Sequence, residues 1–129
     1  MNISGTFNVH MDPLETTLPS GEGVQMARMR LDKTYQGELD ASSEGEMLSA
    51  VTDVPGSAGY VAIERVVGTL SGLSGSFVLQ HYGTMREGEA YLKLEVVPDS
   101  GTGQLKGIRG QMGIRIEGGQ HYYDFEYQL

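Results

Sequence analysis

Glycines recur in this chain where β-type runs meet, and that rhythm constrains the fold more than any other feature. Gly101-Thr102-Gly103 leads into Gln104-Leu105-Lys106-Gly107-Ile108-Arg109-Gly110. Gly68-Thr69-Leu70-Ser71-Gly72-Leu73-Ser74-Gly75 carries the same beat, and the stretch from Gly37 to Gly45 is a looser copy. Glycine interrupts a strand where the chain bends or another backbone comes close. Regular bends are what a sheet closing on itself requires. Gly68, Gly72, Gly101, Gly103 and Gly107 are therefore assigned structural roles.

The prolines at 13, 19, 55 and 98 all fall between strand-like runs, where proline does not cost a ladder hydrogen bond. Residues 13–23 form a loop rich in Pro, Thr, Ser and Gly, while Val54-Pro55-Gly56-Ser57 and Pro98-Asp99-Ser100-Gly101 are turn signals. Arg86-Glu87-Gly88-Glu89 and Glu117-Gly118-Gly119-Gln120 fit tight hairpin connections. Between these breaks the pattern predicts eight strands, over residues 4–12, 24–37, 45–54, 58–72, 75–86, 89–98, 103–117 and 120–128. Alternation is plain in His121-Tyr122-Tyr123-Asp124-Phe125-Glu126-Tyr127, and no stretch holds a 3.6-residue period. The best helical candidate, Ser42 to Met47, is too short to matter. Eight sequential strands with short links imply a closed antiparallel meander that leaves no edge exposed. A β-sandwich is the competing architecture. At 129 residues the chain suits a single domain, residues 1–129, with one core.

Composition removes several classes of function. There is no cysteine, so disulfides, thiolate nucleophiles and cysteine metal sites are excluded. The net charge is −8, and the nine basic residues are scattered. No cluster tracks a phosphate backbone, so nucleic acid is not an expected partner, and an anionic membrane would repel the surface. The start of the chain shows no secretory signal, and the longest apolar run, Tyr60 to Ile63, is far too short for a spanning helix. These features point to a cytoplasmic protein. With three Phe and no Trp, the interior must be filled by Val, Leu, Ile, Tyr and the seven Met, and Met residues can line an adaptable cavity as readily as fill gaps in a core.

Two segments carry a family resemblance. Ser100-Gly101-Thr102-Gly103, with Leu105, Gly107 and Gly110, resembles the glycine-rich turn and strand of allene oxide cyclases and dirigent proteins, which usually have Phe where this chain has Leu105. Gly59 to Leu70, continuing through Gly75-Ser76-Phe77-Val78-Leu79-Gln80-His81, is similar to a bacterial family of small domains of unknown function grouped with the allene oxide cyclase barrel. The resemblance implies a closed eight-stranded barrel with an elongated apolar cavity. It carries no catalysis with it, because the first strand, Gly5-Thr6-Phe7-Asn8-Val9-His10-Met11, lacks the cyclases' acidic motif.

The candidate chemistry rests on His81 and Glu64. His81 shares its parity with Phe77 and Leu79. If that face looks inward, the imidazole sits on the cavity wall as a base or a ligand contact; otherwise it is a surface or structural histidine. Glu64 shares its parity with Tyr60 within Tyr60-Val61-Ala62-Ile63-Glu64-Arg65-Val66-Val67, and neither face of that run is clearly more apolar. A carboxylate buried there would have a raised pKa; on the outer face it would pair with a cation across strands. With both inward, His81 and Glu64 come within hydrogen-bond reach. Tyr60, Phe77 and Leu79 are then the expected ligand-binding residues. The three histidines, His10, His81 and His121, show no metal-ligand spacing, and nothing calls for a cofactor.

Three functions fit these readings. The first is a barrel that binds a small lipophilic molecule in its lumen. The second is an isomerase or cyclase using the His81 and Glu64 pair, and the third is a packed structural barrel whose outer face makes a homo-oligomer.

Overall fold

A sheet whose strands run 13 or 14 residues must coil to stay hydrogen-bonded, and five such strands open this chain. The structure, a computed structural model, describes residues 1–129. In order come β1 (Asn2–Leu14), β2 (Val24–Gln36), β3 (Leu39–Thr52), β4 (Ala58–Leu70), β5 (Leu73–Arg86), β6 (Glu89–Val96), β7 (Thr102–Gly103), β8 (Arg109–Glu117) and β9 (Gln120–Gln128). There is no helix. Each strand pairs antiparallel with the next around the circuit β1-β2-β3-β4-β5-β6-β8-β9, and β9 returns to β1. This is a closed eight-stranded barrel, with the two-residue β7 lying outside it against Gly75 and Ser76 of β5.

Two strand starts differ from the sequence reading by more than two residues. The third strand begins at Leu39, where the pattern placed its start at 45. Gly45 is no boundary: it lies mid-strand opposite Glu64, and a Cβ there would run into the Ile63 carbonyl and crowd the Glu64 backbone. The segment read as one strand over 103–117 is interrupted. After β7 the chain turns through Leu105 N–H to Thr102 C=O (3.0 Å) and Ile108 N–H to Leu105 C=O (3.1 Å). The turn buries Leu105 and Ile108 at the barrel end, and that apolar burial offsets the broken ladder.

The core fills only one end of the barrel. Sixteen buried side chains pack together, including Phe7, Tyr35, Leu39, Leu70, Phe77, Leu79, Leu94, Tyr123, Phe125 and Tyr127. The Tyr123 hydroxyl donates to the Gln36 carbonyl (3.1 Å) and accepts from Leu39 N–H (3.1 Å), tying β9 to the β2–β3 hairpin. A buried phenol needs such partners. The opposite end carries the 15–23 loop and the hairpins β3–β4, β5–β6 and β8–β9, and it is open. The wall is least hydrogen-bonded between β6 and β8, which pair only at Leu94↔Met112 and Glu95↔Gln111.

The glycines have two distinct uses. Gly68 and Gly101 allow close approach: a Cβ would meet the Asp40 carbonyl and Ala41 at the first, and the Leu105 carbonyl at the second. Gly72, Gly103 and Gly107 instead hold positive φ, at 84°, 60° and 87°. A Cβ at Gly107 would meet nothing within 4 Å, so the cost of substitution there is conformational alone. Gly107→Val should therefore lower stability by about 1–3 kcal/mol through backbone strain. Gly101→Val should cost more, because backbone must move to admit any side chain. Urea unfolding midpoints at constant slope measure both, and equal stability of wild type and Gly107→Val would refute the assignment.

Candidate functional site

The inward face of β4 reads Ala62, Glu64, Val66, so a carboxylate is carried into the lumen between apolar neighbours. Its accessible surface is 0%. An unpaired charge there would be prohibitive, and three donors answer it. Lys33 Nζ on β2 donates to Glu64 Oε2 at 2.7 Å. His81 Nε2 on β5 donates to the same oxygen at 2.6 Å. The Tyr35 hydroxyl donates to Oε1 in a short hydrogen bond. Lys33 is further held over the rings of Phe7 and Tyr35, 5.1 and 5.8 Å from their centroids, a favourable placement for a buried cation. Ser43, opposite Lys33 on β3, holds the one buried side-chain polar atom without a hydrogen-bond partner.

Burial by itself would raise the Glu64 carboxyl. The His81 hydrogen bond and the charges and hydrogen bond of Lys33 and His81 outweigh it and hold the group at about 2, below its ordinary 4.5. Burial, then the Glu64 charge, push the Tyr35 phenol well above its ordinary value. Glu64 is therefore a fixed anion whose lone pairs are largely consumed. It is poorly suited to abstract a proton and well suited to orient an imidazole.

Above this polar layer lies a cavity of about 540 Å³. Its wall is mostly apolar, with Met11, Leu31, Met47, Met85, Leu92 and Ile114 among the lining residues. Lys33 and His81 reach it from the floor, and Tyr60 and His121 stand at its sides. The rings of Tyr60 and His81 lie edge to face, centroids 6.2 Å apart. Only Nε2 of His81 is engaged within the protein, which leaves Nδ1 without a protein partner on a ring that lines the cavity.

The structure thus brings Glu64, His81 and Tyr60 together. It does not bring Phe77 and Leu79 to the cavity: both face inward but lie in the packed half, with Phe77 stacked on Phe125 at 5.7 Å. Lys33 and Tyr35 escaped the sequence reading. The signal was present in Leu31-Asp32-Lys33-Thr34-Tyr35, where a lysine shares the parity of Leu31 and Tyr35. His10 is exposed and pairs with Asp12 (3.1 Å), and His121 packs on Phe7, so the three histidines do not converge.

The pKa of Glu64 makes a testable statement about stability. The unfolded carboxyl binds protons near 4.5 and the folded one near 2. Its contribution is complete above about pH 5 and is lost as pH falls toward 2, a loss on the order of 3 kcal/mol. At neutral pH, Glu64→Gln should cost about 3–5 kcal/mol by leaving Lys33 buried without its anion. The pair Lys33→Met with Glu64→Leu should recover most of that loss and flatten the acid limb. Denaturant titrations between pH 2 and 7 give both results, and a single variant as stable as wild type would contradict the buried pairing.

Comparison with known proteins agrees with this architecture. The family model described as protein of unknown function (DUF3224) matches residues 3–127. A crystal structure of a DUF3224 protein of unknown function from Shewanella oneidensis MR-1 is 54% identical, with a TM-score of 0.98, covering 100% of this chain and 96% of that one. No curated protein matches the chain. Sequence and barrel together place this chain in the DUF3224 family.

Proposed function

We propose that the protein binds a small lipophilic molecule in the open half of its barrel. The observation that carries this reading is the cavity of about 540 Å³, apolar along its walls, with Lys33 and His81 at its floor. That volume falls in the range of small-molecule sites, and convergent polar groups at one end of an apolar pocket are their usual form. Three of the lining residues are methionines, Met11, Met47 and Met85, whose flexible thioethers adapt to guests of different shape.

A second reading draws on the Glu64–His81 hydrogen bond of 2.6 Å. An imidazole oriented by a carboxylate can take a proton beside a carbonyl. In that isomerase or cyclase chemistry the base is His81 through Nδ1, and Glu64 is a positioning residue. Catalysed deuterium exchange into 2-tetralone, lost in His81→Gln, would favour this reading over simple binding.

The binding reading predicts that N-phenyl-1-naphthylamine, a neutral dye that brightens in apolar surroundings, binds with saturation at one site per barrel. Met47→Trp, which fills the cavity, should weaken it about tenfold or more while leaving the melting temperature close to wild type. Dye titration by fluorescence with calorimetric stoichiometry checks this. Unsaturable binding, or equal binding by Met47→Trp, would overturn it.

A further inference from the structure

The polar floor selects among lipophilic guests. Resting on the binding reading above, we infer that the ligand is neutral and carries a hydroxyl group, an alcohol or a phenol, which accepts from Lys33 Nζ and donates to His81 Nδ1.

The hydrogen-bond inventory of the floor leads to this chemistry. Lys33 Nζ has three protons and directs one to Glu64 Oε2, so two donors remain on a side chain that lines the cavity. His81 donates through Nε2 to the same oxygen. In the neutral imidazole that fixes the Nε2–H tautomer, and Nδ1 is then an acceptor. With His81 neutral, the floor presents one donor and one acceptor side by side. A hydroxyl matches both, whereas an ether or ketone oxygen accepts only.

Charge argues the same way. With His81 neutral, Lys33 and Glu64 neutralise each other at 2.7 Å, so an added anion would bring an uncompensated negative charge into a largely apolar space. The approach is acidic as well. Glu15, Glu22, Asp53, Glu87 and Glu89 stand exposed on the segments at the open end, and the chain carries −8 in all. Such a rim repels anions during encounter. A carboxylate or sulfonate guest is disfavoured on both counts.

A rigid series with one scaffold tests the inference: 2-naphthol, 2-methoxynaphthalene and 2-naphthoate, each titrated against the full chain at pH 8 by displacement of N-phenyl-1-naphthylamine. 2-Naphthol should bind about fivefold or more tighter than the methyl ether, the margin of one well-made hydrogen bond, and tighter still than the carboxylate. In His81→Leu the preference for naphthol over its ether should vanish while dye binding persists. Nitrogen-15 spectra of His81 at pH 8 supply a readout on the unaltered chain: the inference requires an Nδ1 that is unprotonated in the free protein and shifts on adding naphthol, and a protonated Nδ1 would overturn it. Equal affinity across the series, or tightest binding of naphthoate, would overturn the inference while the apolar cavity stands. Failure of the dye itself to bind would remove the binding reading and this inference with it.

Discussion

A carboxylate with no exposure to water sets the terms for the rest of this barrel. Glu64 can be ionised inside only because β2 and β5 bring Lys33, Tyr35 and His81 to its two oxygens. Those donors come from strands on both sides of β4 in the circuit. Their meeting point depends on the curl of the sheet, since Lys33 and Tyr35 lie two strands from Glu64 across β3, while β4 and β5 are joined by a thirteen-pair ladder from Ala58↔Met85 to Leu70↔Leu73. The cluster in turn divides the lumen. Toward the 37–38 and 71–72 hairpins, aromatic and aliphatic side chains pack against one another across the lumen. Toward the other end, the walls stay apolar but do not meet.

The fold was legible because the β-barrel writes itself in local signals. Turns at 53–57, 71–72, 87–88 and 118–119 depend on Gly and Pro chemistry that reads directly from sequence. Closure followed from eight strands with short links. What failed to read were features set by distant atoms. Gly45 looks like a break yet marks a close approach to β4. Leu105 and Ile108 look like strand residues yet plug the barrel end from a turn.

The site was legible in part, and the limit is physical. Alternation reports which face a side chain takes and says nothing of depth. Phe77, Leu79 and His81 all point inward, but each step of two advances roughly 6–7 Å along β5 and so to a different depth in the lumen. The first two therefore fall in the packed half and only His81 reaches the cavity floor. On β4 even the face was ambiguous. Val61, Ile63 and Val67 are the outward residues, 48%, 51% and 45% exposed, while Glu64 points in. The usual rule of apolar inside and polar outside is inverted at Glu64 and these three residues, although Ala62, Val66 and Leu70 obey it, so only partners from other strands reveal the strand's orientation.

That inversion argues about purpose. Desolvating a lysine and a carboxylate generally costs as much as their attraction returns, and apolar replacements of similar volume are often as stable or more so. The barrel has apolar residues to spare, since it leaves three of them on the outside of β4. Core stability alone therefore does not account for an ion pair at mid-lumen. What the cluster adds is a rigid set of polar atoms at one depth, with Glu64 holding both the ammonium and the imidazole and the rings of Phe7, Tyr35 and Tyr60 restricting their movement. The β6–β8 seam, paired at only two positions, leaves the adjoining wall the easiest part to deform. A fixed polar floor beneath a compliant apolar wall would orient the proposed guest by its head group while tolerating variation in the remainder, and a uniformly packed barrel offers neither property.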